Sequence, residues 1–155
     1  MNTIVIDTNL LVGLVDSHDK WHTYAHEILK ALEARQAQIV YIDCVLNETI
    51  SVLARRAEEQ KRSKDFVVLL ENTRRQVPET HIVWASGEIQ RLYTEILDLV
   101  GQTQGMLNFH DALIALLCRE WDIQFLASFD KDFDQISWLK RVSTPEEVAD
   151  LLATN

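Results

Sequence analysis

Four short runs of β-branched and other apolar residues recur along the chain, separated by stretches with helical periodicity. The runs cover residues 3–6, 39–42, 82–84 and 123–127. Strands that are apolar throughout and alternate with helices are typical of a parallel sheet that is covered by helices on both faces. The alternation predicts an α/β fold with a central, mostly parallel sheet of four strands, or of five if residues 141–143 also form one.

Helical periodicity fills the stretches between these runs and continues after the last of them. The segment 144–147, Thr-Pro-Glu-Glu, combines an N-cap residue, a proline at the first helical position and a glutamate at the third, which signals a helix start. We expect this helix to end near residue 152, and we expect a glycine- and glutamine-containing loop over residues 100–108. The other helices are predicted over residues 8–15, 20–34, 45–59, 64–75, 87–100 and 111–121.

The length and composition fit one globular domain. The chain has 155 residues, of which 47% are hydrophobic and 25% are charged, close to the averages for folded proteins. We therefore predict a single domain over residues 1–155.

The charge balance excludes one class of protein. Lys and Arg number 15 and Asp and Glu number 24, which gives a formal net charge of −9. Proteins that coat nucleic acid by general electrostatic attraction need a basic face, so this chain is not of that class. A nucleic-acid enzyme stays compatible with the charge, because carboxylates gathered to hold divalent cations would make a chain acidic.

The sequence predicts a cytoplasmic protein that does not enter a membrane. Its longest apolar stretch, residues 112–118, is far shorter than the roughly 20 residues of a membrane-spanning helix. The N-terminus enters a strand-like run without a basic region or a cleavage site. Cys44 and Cys118 each lie in an apolar helical pattern, which favours reduced, buried thiols over a disulfide.

Acidic residues follow three of the four predicted strands, and one more precedes the apolar stretch. Ligands of open α/β sheets bind beyond the carboxyl ends of the strands, so these acids are candidate site residues. The common glycine-rich phosphate-binding motifs and the H-E-x-x-H and C-x-x-C metal motifs are absent. The acids are Asp7 after the first strand, Asp43 and Glu48 after the second, Asp130, Asp132 and Asp134 after the fourth, and Asp111 before the apolar stretch.

Each acid taken alone also has a purely structural interpretation. Asp7 and Asp111 could cap the helices that follow them, Glu48 could lie on a solvated helix flank, and Asp134 is expected to be exposed. Several carboxylates at one sheet edge would repel one another unless a cation were bound there. Oxygen ligands without Cys or His suit Mg²⁺ or Mn²⁺, ions that support phosphodiester hydrolysis.

The motifs that carry these acids resemble, in order and spacing, those of PIN-domain ribonucleases, particularly toxins of the VapC type. Segment 7–9, Asp-Thr-Asn, resembles the end of the family's first strand, and segment 45–48, Val-Leu-Asn-Glu, resembles the part that holds its glutamate. Segment 111–115, Asp-Ala-Leu-Ile-Ala, resembles the helix start with the third acid, and segment 128–133, Ser-Phe-Asp-Lys-Asp-Phe, the final motif. The resemblance covers essentially the whole chain and implies a single PIN-like domain.

The resemblance also implies roles for individual residues. Asn9 and Ser128 would orient ligands or waters, and Asp132 is the alternative to Asp130 as the fourth acid. The protein would be a Mg²⁺- or Mn²⁺-dependent endoribonuclease acting on single-stranded or structured RNA, a toxin with a cognate antitoxin protein, and a homodimer. The implied metal ligands, one or two ions being held, are Asp7, Glu48, Asp111 and Asp130.

A basic island interrupts the acidic background. Arg55, Arg56, Lys61, Arg62 and Lys64 fall within ten residues of one another. They could bind an RNA backbone, with the three arginines as the candidate contacts, or they could form a solvated helix end. The sequence leaves both interpretations open.

Histidines and tryptophans are weaker candidates. A row of three histidines at four-residue spacing could line a helix face and bind zinc, but no Cys or acid completes a closed site, and a packed or surface face is favoured. His110, next to Asp111, could contact a substrate, but a loop histidine without that role is favoured. The tryptophans are expected to be core or interface anchors rather than stacking platforms for bases. The histidine row is His18, His22 and His26, and the tryptophans are Trp21, Trp84, Trp121 and Trp138.

Other functions were weighed against this one. A phosphorelay receiver needs its acceptor Asp after the third strand, where this chain has Ala85 and Ser86, and the related phosphatases need a second Asp where it has Asn9. A catalytically silent PIN-like interaction scaffold would have no reason to keep four mutually repelling acids. A housekeeping RNA-processing nuclease is compatible with the same site and stays open.

Overall fold

Five parallel strands form the central sheet of the protein. The computed structural model describes residues 3–151 of the chain. Neighbouring strands pair in the order β3-β2-β1-β4-β5, and every pair is parallel. The predicted α/β fold with a parallel sheet is therefore confirmed, with the fifth strand present. The strands are β1 (Thr3–Ile6), β2 (Gln38–Ile42), β3 (Ile82–Val83), β4 (Phe125–Ala127) and β5 (Lys140–Val142).

Seven helices connect and flank the strands in the described residues. Crossovers between parallel strands are right-handed as a rule, so we expect the helices between β1 and β3 on one face of the sheet and those between β3 and β4 on the other. The packing agrees, since α1 packs on α2, α3 and α4, whereas α5 packs on α6. The helices are α1 (Thr8–Val15), α2 (His22–Ala34), α3 (Asp43–Glu59), α4 (Phe66–Gln76), α5 (Glu88–Gln102), α6 (Phe109–Glu120) and α7 (Pro145–Leu151).

Several element boundaries differ from the predicted ones by one or two residues. Helix α3 begins at Asp43, whose carboxylate accepts hydrogen bonds from the backbone N–H groups of Ala85 and Ser86. This long-range contact turns Asp43 toward the end of β3, and the acid does not join the other candidate acids. Strand β3 ends at Val83, so Trp84 lies outside the sheet with 67% of its surface exposed. The predicted end of the last helix at residue 152 lies outside the described residues.

The core is built around β1 and α6. Residues 112–118 of α6 are all buried, which confirms that the apolar stretch forms a helix enclosed on all sides. Cys44 and Cys118 are buried and free, as predicted. Burial raises the pKa of the Cys44 thiol to about 12, so this thiol is not reactive at neutral pH. No helix in the described part of the chain is long and apolar enough to cross a membrane.

The strands that follow β1 lie on both sides of it: β2 and β3 are added on one side, and β4 and β5 on the other. This change of side positions the candidate site. The backbone N–H of Asp7, directly after β1, donates to the carbonyl of Ala127 at the end of β4 over 3.0 Å. Sequence segments that are far apart therefore meet at the carboxyl ends of β1 and β4, where open α/β sheets bind their ligands.

Candidate active site

Asp7 lies at the centre of a hydrogen-bond network between α1 and the end of β4. One carboxylate oxygen, Oδ1, accepts from the backbone N–H of Thr8 at 2.8 Å, so Asp7 is the N-cap of α1. The other oxygen accepts from the Ser128 hydroxyl at 2.6 Å and from the Asn9 side-chain amide at 2.8 Å. The structural and the functional interpretation of Asp7 thus apply together, because one side chain both caps the helix and faces the cavity.

Asn9 and Ser128 hold the network together. The amide oxygen of Asn9 accepts from the backbone N–H of Phe129 at 3.0 Å, and its nitrogen lies 3.1 Å from the Ser128 hydroxyl oxygen. That hydroxyl oxygen also accepts from the backbone N–H of Asp130 at 3.0 Å. These bonds fix the acids at positions 7 and 130 relative to each other.

Glu48 approaches the same cavity from α3. Its Oε2 accepts a hydrogen bond from the Thr8 hydroxyl at 3.1 Å and lies 3.9 Å from Nδ1 of His110. The side chain is partly buried, so the solvated-flank interpretation does not describe it. Thr8 and His110 are contacts of Glu48 that the sequence does not predict, although Thr8 lies within the first motif. His110 lies in α6 rather than in the expected loop.

Asp111 enters from α6 and is buried. The N-cap of this helix is Asn108, not Asp111, because α6 begins two residues earlier than predicted. Asn108 and Asp111 form a reciprocal capping box, each side-chain oxygen accepting the other residue's backbone N–H at 3.0 Å. Asn followed three residues later by an acid is the spacing of a capping box, and this sequence signal would have given the correct start of α6.

Asp130, rather than Asp132, completes the set of acids around the cavity. Asp130 caps a short 3-10 helix at Lys131–Gln135 by accepting the backbone N–H of Asp132 at 2.9 Å. Asp134 is exposed, as expected, and its carboxylate binds Arg141. The cavity has a volume of about 180 Å³ and is lined by Asp7, Thr8, Asn9, Val12, Glu48, Val52, Arg56, Asn108, Asp111 and Asp130.

Burial and mutual repulsion perturb two of the four acids. Burial raises the pKa of Asp7 from its ordinary value of 3.8 to about 7, against the hydrogen bond from Ser128, and the negative charges of Asp111 and Glu48 add to the increase. The pKa of Asp111 is raised to about 6, first by burial and then by the charges of Glu48 and Asp130. Without a cation, the cavity therefore holds protons at pH values where carboxyl groups are normally ionised.

The donor set fits a hard divalent cation. In the part of the chain that the structure describes, Glu48, Asp111 and Asp130 each use one carboxylate oxygen in contacts with the protein and leave the other without a hydrogen bond. Carboxylate oxygens are the ligands that Mg²⁺ and Mn²⁺ prefer. Within residues 3–151, no three His, Cys, Asp or Glu side chains are grouped closely enough to hold a metal as they stand, so binding requires the acids to draw together.

The three arginines of the basic island have different partners. Arg56 lines the cavity, and its guanidinium binds the carboxylate of Asp19. Arg62 binds the buried Asp16 through two guanidinium nitrogens, at 2.9 and 3.3 Å, and only 13% of its side chain is exposed. Arg55 is exposed and lies 4.0 Å from Glu59. The structure therefore brings Arg56 alone of the three to the cavity.

Two members of the histidine row, His22 and His26, pack against α1, whereas His18 precedes α2 and is exposed. Nδ1 of His22 lies 2.8 Å from the carbonyl oxygen of Gly13, and Nε2 of His26 lies 3.0 Å from that of Leu14. These two side chains thus satisfy carbonyls at the C-terminal end of α1, which agrees with the packed-face interpretation. Of the tryptophans, Trp121 and Trp138 pack against the core, Trp84 is exposed, and Trp21 stacks on Phe129.

The comparison with protein families agrees with this geometry. The family model of the PIN domain matches residues 4–139 of the chain. The chain belongs to the PIN domain family. The resemblance of the four motifs to that family is thereby confirmed. No curated protein sequence matches the chain significantly.

Two crystal structures share the PIN fold of this chain. VapC20 from Mycobacterium tuberculosis, a toxin that cleaves the sarcin-ricin loop, has 21% sequence identity and a TM-score of 0.65, covering 86% of this chain and 95% of its own. VapBC2 from Rickettsia felis, bound to a DNA fragment from its promoter, has 18% identity and a TM-score of 0.64, covering 90% of this chain and 97% of its own. At these identities the likeness concerns the fold.

Proposed function

We propose that this PIN protein is a Mg²⁺- or Mn²⁺-dependent endoribonuclease and the toxin of a toxin–antitoxin pair. One observation carries the proposal: Asp7, Glu48, Asp111 and Asp130 line a single cavity at the carboxyl ends of β1 and β4. Four acids around a small cavity repel one another, and bound cations would offset that repulsion and support phosphodiester hydrolysis.

The four acids would hold the cation, and the surrounding residues would keep them in position. When bound, a divalent cation would make a water molecule a stronger nucleophile and stabilise the negative charge that builds on a phosphate. Asn9 and Ser128 fix the Asp7 carboxylate, and the Thr8 hydroxyl fixes Glu48. Arg56, the cation among the residues lining the cavity, would attract the phosphate to the acids.

The toxin assignment rests on the two solved structures that share the fold of this chain. One of them is a toxin that cleaves an RNA loop, and another is a VapBC complex on promoter DNA. By analogy this chain would bind a cognate antitoxin protein and form a homodimer. Cleavage without toxicity on expression would instead favour a housekeeping RNA-processing nuclease.

The test of the proposal is RNA cleavage by the purified full chain with Mg²⁺ or Mn²⁺ and by the variant Asp111→Asn. The variant should lose at least about a hundredfold in rate, because a carboxylate is lost from the cavity. The oxygen that accepts from Asn108 can remain as the amide oxygen, so the capping box should be preserved and the melting temperature should not fall. Unchanged cleavage by a folded Asp111→Asn, or cleavage that persists in excess chelator, would refute metal-dependent catalysis. No cleavage of any RNA by the wild type would favour the silent interaction scaffold.

A further inference from the structure

Four side chains beside the cavity form an aromatic cluster, defined here as Lys20, Trp21, Tyr24 and Phe129. The Trp21 and Phe129 rings are stacked, with centroids 4.6 Å apart and an interplanar angle of 12°. Tyr24 meets Trp21 edge-on at 6.1 Å between centroids, and Nζ of Lys20 lies 5.1 Å from the Trp21 ring centroid. The cluster joins the start of α2 to the loop after β4.

Two sets of contacts connect this cluster to the cavity. Phe129 stands between Ser128 and Asp130, and its backbone N–H donates to Asn9, which lines the cavity. On the other side, Asp19 bridges the cluster to Arg56.

Asp19 makes this bridge with its two carboxylate oxygens. Oδ1 accepts the backbone N–H of Trp21 at 2.8 Å, and Oδ2 accepts from the guanidinium of Arg56. The Asp19 side chain is only 4% exposed, so the bridge is built into the fold. The aromatic cluster is therefore held at a fixed position relative to the four acids.

Packing alone does not account for the cluster. Tyr24 leaves 52% of its surface exposed beside the partly exposed Trp21. The indole N–H of Trp138 donates to the carbonyl of Ala115, but that of Trp21 donates to no protein atom among the described residues. An exposed ring, an unused donor and two nearby cations, Lys20 and Arg56, are the groups that bind single-stranded nucleic acid.

We propose that the exposed ring of Tyr24, which Trp21 holds edge-on, is a stacking platform for a base of the RNA strand, next to the phosphate that is cleaved, while Lys20 and Arg56 contact the flanking phosphates. The proposal rests on the proposed ribonuclease function and names how that site holds its substrate. The net charge of −9 opposes RNA binding by general electrostatic attraction. Stacking supplies affinity that does not depend on charge, which an acidic nuclease needs.

The first test is binding of a fluorescein-labelled single-stranded RNA of about ten nucleotides. Binding is measured in the Asp111→Asn background with Mg²⁺, so that the RNA stays intact. Tyr24→Ala should raise the Kd roughly 5- to 100-fold, and Tyr24→Phe should restore most of the affinity because the ring is retained. Tyr93→Ala is the matched control, since Tyr93 is 53% exposed and lies on α5, which contributes no residue to the cavity.

The second test asks whether Tyr24 contacts one base. A series of RNAs, each lacking the base at one position, is bound to the protein with Tyr24 and to Tyr24→Ala. At one position, loss of the base should raise the Kd of the protein that has Tyr24 by about the same factor as Tyr24→Ala does. The same loss should hardly change the Kd of the Tyr24→Ala variant, because that variant has already lost the contact.

The outcomes separate this inference from the proposed function. If wild type cleaves RNA and Tyr24→Ala binds RNA as tightly as Tyr93→Ala, the platform is refuted and the nuclease stands. The platform is also refuted if removal of each base raises the Kd equally for both proteins. It is refuted, too, if Tyr24→Ala weakens the binding of a partner protein but not that of RNA. If wild type neither binds nor cleaves RNA, both proposals fail.

Discussion

The basic island shows that the role of a charged side chain depends on its partner. Asp16 is buried at the C-terminal end of α1, and the guanidinium of Arg62 holds the pKa of its carboxyl below the usual range, against the effect of burial. Arg62 is therefore a structural ion-pair partner, whereas Arg55 is exposed on the surface. Arg56 binds Asp19 and reaches the cavity at the same time.

Three single substitutions should separate these roles. Arg62→Gln leaves Asp16 without its ion pair and should lower the free energy of unfolding by about 2 kcal/mol. Arg55→Gln should change the free energy of unfolding by less than about 0.5 kcal/mol.

Arg56→Gln should weaken RNA binding and reduce its salt dependence. Denaturant unfolding and salt titrations of RNA binding measure these effects. A larger RNA-binding loss in Arg62→Gln than in Arg56→Gln would contradict the assignment.

At the scale of elements, α1 is fixed at both ends. Its N-terminal end carries Asp7 and Asn9, which bind the loop after β4. At its C-terminal end, His22, His26 and Asn72 lie within hydrogen-bonding distance of the carbonyl oxygens of residues 13–15. The position of Asp7 thus depends on how closely α1 packs on α2.

Gly13 makes that close packing possible. A Cβ atom at Gly13 would lie 3.0 Å from Cβ of Ala25 and 3.4 Å from the carbonyl oxygen of Trp21. Gly13→Ala should therefore destabilise the protein by about 1 to 3 kcal/mol. Gly101→Ala in α5 is the matched control, because a Cβ atom there would meet nothing within 4 Å beyond its chain neighbours and the backbone of its own helix. It should stabilise the protein by about 0.4 to 1 kcal/mol. Thermal unfolding of both variants measures the difference, and equal effects would show that α1 can move away from α2.

At the scale of the whole molecule, the order of the sheet concentrates negative charge in one cavity. Strands β1 and β4 are neighbours, so acids from opposite ends of the sequence meet there. The raised pKa values of Asp7, about 7, and Asp111, about 6, show that the fold tolerates this charge at the expense of stability. A cation in the cavity would remove that penalty.

The metal-free protein should lose stability as the pH rises from about 4 to about 7. Over this range the folded protein binds more protons than the unfolded chain, whose carboxyl pKa values are near 3.8, so the free energy of unfolding decreases with pH. Asp7→Asn should have a shallower dependence. The slopes are compared rather than the absolute stabilities, because the new amide also disturbs the bonds from Ser128 and Asn9. Equal slopes in both proteins would contradict the raised pKa of Asp7.

The same pair of proteins tests the binding of metal. Mn²⁺ at a hundred times its Kd should stabilise wild type by about 2.7 kcal/mol at neutral pH. Asp7→Asn should lose most of this gain. Melting temperatures with and without Mn²⁺ measure it, and an equal shift in both proteins would mean that Asp7 is not a ligand.

The sequence by itself determined which elements form and which motifs bring an acid to the cavity. The alternation of apolar runs with helical periodicity depends on local patterns that the fold retains, and the apolar residues 112–118 form the buried helix that they predict. Asp7 and Asp130 reach the cavity because the carboxyl ends of parallel strands meet at one edge, and Glu48 and Asp111 reach it from the N-terminal parts of α3 and α6. The boundary errors at Asp43 and Asp111 arose where a cap depends on particular hydrogen bonds.

Only the tertiary structure decided the partners of these residues. Whether an arginine meets the buried Asp16 or the cavity depends on the packing of α3 against the end of α1, which no local pattern encodes. The stack of Trp21 on Phe129 joins segments that are far apart in the sequence, and Asp19 acquires its role only because Arg56 packs beside it. Local propensity selects helices and strands over a few residues, whereas these contacts form only once the sheet has brought distant segments together.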